Sequence, residues 1–146
     1  MAVVDFIEQL LNGVTLGMVY VLLAAGLSVI FGVMDVINFS HGELFALGGY
    51  FALSIVTPLG GEVGFWVALV VAPILVAVIG MAIERFTVRP LYGRNPLYHI
   101  LLTFGLVLII NDLIRLAWGP EQQQLVVPSY LSQPFGVLGI RLSVYS

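Results

Sequence analysis

The stretch Asp35-Val-Ile-Asn-Phe-Ser-His-Gly-Glu43 places two acids, an asparagine and a histidine between two long uncharged segments. Residues 9–34 carry no charged side chain, which exceeds the roughly 20 apolar residues that a helix needs to cross a bilayer core. Residues 44–61 are also uncharged. Because backbone exposed to lipid would leave amides without partners, the polar stretch lies either at a membrane surface or in a broken helix that faces a cavity. Both placements indicate a function.

The composition indicates an integral membrane protein. Of the 146 residues, 60% are hydrophobic and 9% are charged, the mean hydropathy is +1.10, and there is no lysine. Soluble domains carry about 25% charged residues, so a soluble fold is excluded. The net charge of −3 is small and scattered, which predicts no nucleic-acid partner. With no cysteine, disulfides and thiolate metal sites are also excluded.

The apolar segments predict an all-α, polytopic membrane helix bundle. The predicted spans are 10–34, 42–57, 63–83 and 99–118, within the N-terminal portion of one transmembrane domain that covers 1–146. The second span is about 24 Å long at 1.5 Å per residue, which is shorter than the hydrocarbon core unless residues 38–42 also lie at membrane depth. This predicts a broken or re-entrant second helix.

Arginine placement predicts the orientation in the membrane. Three arginines, Arg85, Arg89 and Arg94, fall between the third and fourth spans. That loop is therefore predicted to be cytoplasmic, which places the acidic N-terminus and residues 119–146 outside. The tail has the prolines and glycines of an extracytoplasmic loop, and residues 136–142 suggest a short strand pair. The start lacks the basic residues of a secretory signal, so the first span is predicted to remain in the mature protein.

Small residues on the first span suggest close helix packing. Gly13 and Gly17 are four residues apart and Gly26 continues the stripe, which lets two helix backbones approach closely. A substrate-lining role for the same residues is the alternative.

The polar stretch supports several interpretations. Ser40 and Glu43 fit a capping box, in which each side chain accepts a backbone amide at the helix start. Alternatively, Asn38 caps a half-helix whose positive end faces an anionic ligand, with Ser40, His41, Gly42 and Glu43 along a translocation path. His41 is either a hydrogen-bonded interior residue or a proton relay.

Two further interpretations concern charged residues. His41 and Glu43 supply two metal ligands at most, whereas catalytic zinc normally needs three, so no metal is predicted. Residues between the third and fourth spans either only fix the topology or also form a docking site for a cytoplasmic partner; these residues are Glu84, Arg85, Arg89 and Arg94.

Several motifs together resemble the N-terminal half of the branched-chain amino-acid ABC transporter permeases of the LivH type. The most specific is Ile37-Asn-Phe-Ser-His-Gly-Glu43, and the resemblance covers essentially all of the chain. The other matching motifs are Asn12-Gly13, Gly17, Tyr20, Gly26, Ile30-Phe-Gly32, Glu84-Arg85, Arg89-Pro90-Leu91, Gly93-Arg94, Thr103-x-Gly105-Leu106 and Trp118-Gly119-Pro120.

The resemblance implies a multi-pass protein of a bacterial or archaeal inner membrane that imports leucine, isoleucine or valine. It implies a second related permease subunit, two cytoplasmic ATPase subunits and an extracytoplasmic substrate-binding protein as partners, besides membrane lipid. No phosphate-binding loop is present, so the chain is not expected to be an enzyme or to bind a cofactor. Members of that family are roughly twice as long, which makes this chain look truncated before the loop that grips the ATPase. A urea or short-chain amide permease and a small oligomeric channel or accessory protein are the alternatives.

Overall fold

The structure, a computed structural model, describes residues 2–121, 135–137 and 140–142. Most of the described residues belong to four long helices. The helices are α1 (Ala2–Met34), α2 (His41–Leu59), α3 (Gly61–Ile83) and α4 (Pro96–Trp118). Each is long and apolar enough to cross a membrane. The prediction of a four-span helical membrane bundle is therefore confirmed, although all four helices extend beyond the predicted bounds.

The second helix is continuous, which corrects one detail of the prediction. The helical backbone is interrupted at residues 35–40, ahead of α2, and His41–Glu43 form the first turn of that helix. The interruption therefore separates two spans and does not divide the second one. With 19 residues, α2 is about 29 Å long at 1.5 Å per residue, close to the thickness of the hydrocarbon core.

A one-residue turn makes α2 and α3 a tightly packed pair. Gly60 has a positive φ of 67°, a conformation that glycine adopts without the steric cost of a side chain. Its N–H donates to the carbonyl of Val56 at 2.9 Å. A β-carbon at Gly64 would lie 3.1 Å from the Cα of Val56, so the two backbones are close enough to exclude a larger residue there.

The core lies between α2 and α4. Leu47, Ile110 and Ile114 are buried together. At the end of α4, the indole Nε1 of Trp118 donates to the hydroxyl of Ser54 at 2.7 Å, and the Trp118 ring packs 5.4 Å from that of Tyr50. In contrast, α1 presents large apolar side chains on most of its surface, which suits contact with lipid or with other helices.

The segment between α3 and α4 is more helical than the sequence predicted. The α3 helix continues as a π-helix over Glu84–Val88 and a 3-10 turn over Arg89–Leu91, so only Arg94 lies in the turn itself. Asn95 then caps α4, because its Oδ1 accepts the N–H of Leu97 at 3.0 Å.

The predicted strand pair in the tail is confirmed. β1 (Phe135–Val137) and β2 (Ile140–Leu142) pair antiparallel, with Phe135 opposite Leu142. The rest of the predicted extracytoplasmic loop lies outside the described residues, apart from 119–121.

Candidate functional site

The polar connection, residues 35–43, begins where α1 ends. Asp35 has a φ of 52°, the only positive value at a non-glycine position in the described part of the chain, and its N–H donates to the carbonyl of Phe31 at 2.8 Å. Aspartate is among the few residues that tolerate this left-handed conformation. The connection then runs without regular structure to Ser40.

Asn38 organises the entry to α2. Its side-chain oxygen, Oδ1, accepts both the N–H of Ser40 at 3.0 Å and the hydroxyl of Ser40 at 2.6 Å. Its backbone carbonyl accepts the N–H of His41 at 3.3 Å. Ser40 has no exposed surface, so both of its donors would lack a partner without this asparagine.

The capping-box prediction for Ser40 and Glu43 is wrong. Ser40 occupies the N-cap position of α2 but makes no side-chain hydrogen bond to the helix, because its hydroxyl donates to Asn38. The Ser40 amide, which Glu43 would have accepted, is also bonded to Asn38. Asn38 thus stabilises the connection from outside the helix.

His41 joins α2 to α1. A β-carbon at Gly26 would stand 2.9 Å from Nε2 of His41 and 3.0 Å from Cε1, so the imidazole occupies the space that a side chain at position 26 would need. Gly13 and Gly17, by contrast, have nothing within 4 Å of such an atom among the described residues. Close packing at those two glycines stays a prediction.

α4 meets the polar connection through Thr103. This residue is fully buried, and its hydroxyl lies 2.9 Å from the carbonyl of His99, 3.3 Å from that of Ile100 and 3.5 Å from that of Ile37. The shortest of these is the bond within α4. The longer approach to Ile37 nonetheless places the middle of the connection directly against α4.

His99 is the most unusual polar residue near the connection. It is 8% exposed, and its Nε2 has no hydrogen-bond partner among the described residues. Its ring stacks on Tyr92 at 6.2 Å with an interplanar angle of 21°. Buried polar atoms of side chains usually have a partner, so this nitrogen is a candidate for contact with a ligand or water.

Tyr92 is held by Glu84. Its hydroxyl donates to Oε1 of Glu84 at 3.1 Å. Partial burial raises the pKa of Tyr92, the hydrogen bond and the negative charge of Glu84 raise it further, and the charge of Arg89 opposes them. The phenol is therefore the protonated donor at neutral pH.

A cavity of about 340 Å³ lies between the polar connection and the start of α4. It is lined by Phe31, Met34, Asp35, Val36, Ile37, Tyr92, Gly93, Arg94, Pro96, His99 and Ile100. Its volume is at the lower end of the roughly 300–1,000 Å³ typical of small-molecule sites. The wall combines one acid, one arginine, one histidine and one tyrosine with apolar side chains.

The structure places the predicted site residues in two regions. Asn38, Ser40, His41, Gly42 and Glu43 are contiguous at the entry to α2, next to α1 and α4. Of the charged residues between α3 and α4, Arg94 lines the cavity and Glu84 reaches it through Tyr92. Arg85 and Arg89 are exposed on the helical extension of α3.

Sequence reasoning missed Asp35, Tyr92, His99 and Thr103 as site residues. His99 offered a signal, since it is one of two histidines and lies close to Tyr92 and Arg94 in sequence. Only the folded structure brings these residues to the end of α1.

Comparison with known proteins gives a consistent result. The sequence matches the model of a family described as the permease component of branched-chain amino acid transport systems over residues 9–141. It is similar to the high-affinity branched-chain amino acid transport system permease protein BraD of Pseudomonas aeruginosa, with 29% identity over 89% of this chain and 44% of the relative. No solved structure matches the chain.

Two relatives called LivH, with the same transport-system description, show similar agreement. The Escherichia coli K12 protein is 31% identical and the Salmonella typhimurium protein is 33% identical, in each case over 78% of this chain and 39% of the relative. The chain thus spans about two fifths of the length of these curated relatives.

Proposed function

Because the chain belongs to the family of permease components of branched-chain amino acid transport systems, we propose that it forms part of the translocation path of an importer for leucine, isoleucine and valine. The importer is driven by ATP and lies in the inner membrane of a bacterium or archaeon. The names of the relatives, which are permeases of branched-chain amino acid transport systems, support this substrate class.

The polar connection is the observation that carries the proposal. It lies between two helices that are each long enough to span a membrane, and its backbone is irregular at residues 35–40. Irregular backbone cannot face lipid, so this segment either lies at the membrane surface or lines a water-filled cavity. The cavity beside Asp35 and Ile37 supports the second situation.

In this proposal, the residues at the entry to α2 line or shape the path. Asn38 holds the irregular segment in one conformation through Ser40, and His41 fixes its position against α1 through Gly26. Gly42 and Glu43 belong to the first turn of α2, whose positive end attracts anionic groups such as a substrate carboxylate. Gly13 and Gly17 pack against other helices of the assembled permease.

The proposed partners follow from the same family. ATP hydrolysis resides in two separate cytoplasmic subunits, a second permease subunit completes the path, and an extracytoplasmic binding protein delivers the substrate. The exposed Arg85 and Arg89 on the helical extension of α3 are positioned for contact with a cytoplasmic partner or with anionic lipid.

Transport by the assembled system tests the proposal. The full-length gene is expressed with its partner subunits in cells that lack their own branched-chain amino acid uptake, and uptake of labelled leucine, isoleucine and valine is measured. We expect uptake that requires ATP and the binding protein and that excess urea or acetamide does not inhibit. Transport of urea or amides instead, or ion conduction without ATP, would contradict the proposal.

A further inference from the structure

We propose that the cavity between the end of α1 and the start of α4 binds the amino acid as a zwitterion on the cytoplasmic side of the membrane. This inference rests on the proposed function and adds a binding site to it. The cavity lies at the same end of the bundle as Arg89 and Arg94, the end that the arginine pattern assigns to the cytoplasm.

The charges on the cavity wall fit a ligand that carries both signs. Asp35 and Arg94 line the same cavity. A ligand with a single charge would meet attraction from one of these groups and repulsion from the other. An α-amino acid satisfies both, because its ammonium group can face Asp35 and its carboxylate can face the planar donor fork of Arg94.

The backbone conformation at position 35 is one that residues other than glycine seldom adopt, so an aspartate there is unusual. Its φ of 52° is the conformation in which glycine usually ends a helix, since glycine has no β-carbon to clash. Here a carboxylate takes that position and lines the cavity. This arrangement fixes the direction in which the chain leaves α1 and places a negative charge at the cavity wall.

His99 provides a second, independent indication of a ligand. It is a cavity-lining residue that is 8% exposed, and its Nε2 lacks a hydrogen-bond partner among the described residues. Stacking on Tyr92 limits how the ring can turn. Because this nitrogen is itself buried, a small displacement of the cavity wall would let a carboxylate or an ordered water supply the missing partner.

The remaining wall and the volume suit an aliphatic side chain. Phe31, Met34 and Ile100 provide apolar surface beside the charged groups. The volume of about 340 Å³ leaves little room beyond a ligand of amino-acid size, since sites for drug-sized molecules reach about 1,000 Å³. A lipid headgroup with an ammonium and a phosphate shares part of this chemistry and is tested as a competing occupant.

The experiment measures protection of a reporter cysteine in the complete permease with its partner subunits. Met34→Cys places a thiol on the cavity wall, residues 1–146 contain no other cysteine, and any cysteine elsewhere in the complex is replaced. A membrane-impermeant thiol reagent is added to the cytoplasmic side of membrane vesicles, with or without L-leucine. The other probes are 4-methylpentanoate, which lacks the ammonium, 3-methylbutylamine, which lacks the carboxylate, and O-phosphoethanolamine.

We expect leucine to slow the labelling of Met34→Cys. Each half-analogue should require a concentration at least about tenfold higher, because it loses one charge-assisted contact. A reporter at Phe86→Cys, which is exposed on the π-helical segment outside the cavity, should show no protection.

Charge variants then identify the contacts. Arg94→Gln should weaken protection by leucine at least about tenfold. Asp35→Asn should have a similar effect, and it is a clean test because asparagine also tolerates the left-handed backbone conformation. Arg115→Gln, which removes an exposed arginine of α4 outside the cavity, is the matched control and should leave protection unchanged. Copurification with the ATPase subunits verifies that each variant assembles.

Uptake by the complex without the reporter cysteine separates the two proposals. Uptake of leucine without protection of Met34→Cys would overturn the cavity site and leave the transport function standing. Protection by O-phosphoethanolamine but not by leucine would assign the cavity to a lipid headgroup and would also overturn it. Absence of leucine uptake would contradict the proposed function, and the cavity site would fall with it.

Discussion

Gly26 and His41 are in direct contact across the interface between α1 and α2. A β-carbon at position 26 would lie 2.9 Å from Nε2 of the imidazole, closer than ordinary van der Waals packing allows. α1 has few other contacts with the rest of the described structure and is largely exposed. This pair therefore has a large share in fixing where the polar connection lies relative to α1.

Replacing Gly26 with alanine should disturb that contact. We expect Gly26→Ala to displace the His41 ring and to be less stable than Gly13→Ala by about 1 kcal/mol, the low end of overpacking costs, because the clash is with the tip of a side chain that can turn. Gly13→Ala is the matched control, because the same change on the same helix meets nothing within 4 Å among the described residues, and alanine favours helix by up to about 1 kcal/mol. Thermal unfolding of the purified permease in detergent measures both. Equal losses would show that the glycine stripe acts as a whole and not through His41.

The two hydrogen bonds that Ser40 donates to the Asn38 side chain predict an order of stability among three variants. Asn38→Ala removes the shared acceptor and leaves two buried donors of Ser40 unpaired, at a cost of about 1–3 kcal/mol for each donor. Asn38→Asp keeps an acceptor oxygen in the same place, so it should lose much less stability than Asn38→Ala. Ser40→Ala removes only the hydroxyl bond and should lie between them.

Amide hydrogen exchange at His41 and the residues that follow, which begin α2, provides the readout for these variants. Exchange should be fastest in Asn38→Ala. An unchanged rate in that variant would show that the entry to α2 does not depend on the Asn38 side chain.

The phenol of Tyr92 should ionise only at unusually high pH. Burial first, and then Glu84, raise its pKa above the ordinary value of 10.0. Because the folded pKa is the higher one, the stabilisation is fully present below about pH 10 and is lost as the pH rises through the folded pKa. Glu84→Gln should lower the pKa without restoring it fully, since burial remains. Carbon-13 NMR of labelled tyrosine, with Tyr92→Phe to assign the signal, measures the shift, and a pKa unaffected by Glu84→Gln would contradict this account.

The contact between Trp118 and Ser54 should stabilise the other end of α4. Ser54→Ala removes the acceptor of the indole N–H and should cost about 1 kcal/mol. Thr57→Ala is the control, because the Thr57 hydroxyl bonds to the carbonyl of Leu53 in its own helix and to no other described residue. With every tryptophan other than Trp118 replaced by phenylalanine, Trp66 included, Trp118 fluorescence during unfolding compares the variants. Equal stability of the two would exclude a role for this bond.

The four spans were predictable because each contains a segment that is apolar over a length sufficient to cross a membrane. The helical extension of α3 was not predictable, since arginines and a proline at residues 85–90 also suit a loop. The role of Ser40 was misread for a chemical reason. A hydroxyl can donate or accept, and the sequence pattern of a capping box does not reveal which.

The cavity could not be predicted from the sequence, for a different reason. Asp35 and His99 are separated by the whole of α2 and α3, and only tertiary packing brings them to one cavity. Arg94 was singled out as a residue that fixes topology or contacts a partner. Its position on the cavity wall depends on the turn between the extension of α3 and Asn95, where Gly93 has a φ of 75°.

Accessibility of the polar connection tests the central claim most directly, namely that the entry to α2 lies on a translocation path. Gly42→Cys introduces a thiol where a β-carbon has nothing within 4 Å among the described residues. Leu108→Cys, at an exposed apolar position in the middle of α4, is the control that faces lipid or another helix. Both are made in the complete transporter, with any cysteine elsewhere replaced.

We expect a water-soluble thiol reagent to label Gly42→Cys rapidly. The rate should change severalfold when the ATPase subunits are trapped with nucleotide. Leu108→Cys should be labelled slowly in both states. Equally slow labelling of the two positions, unaffected by nucleotide, would contradict the account.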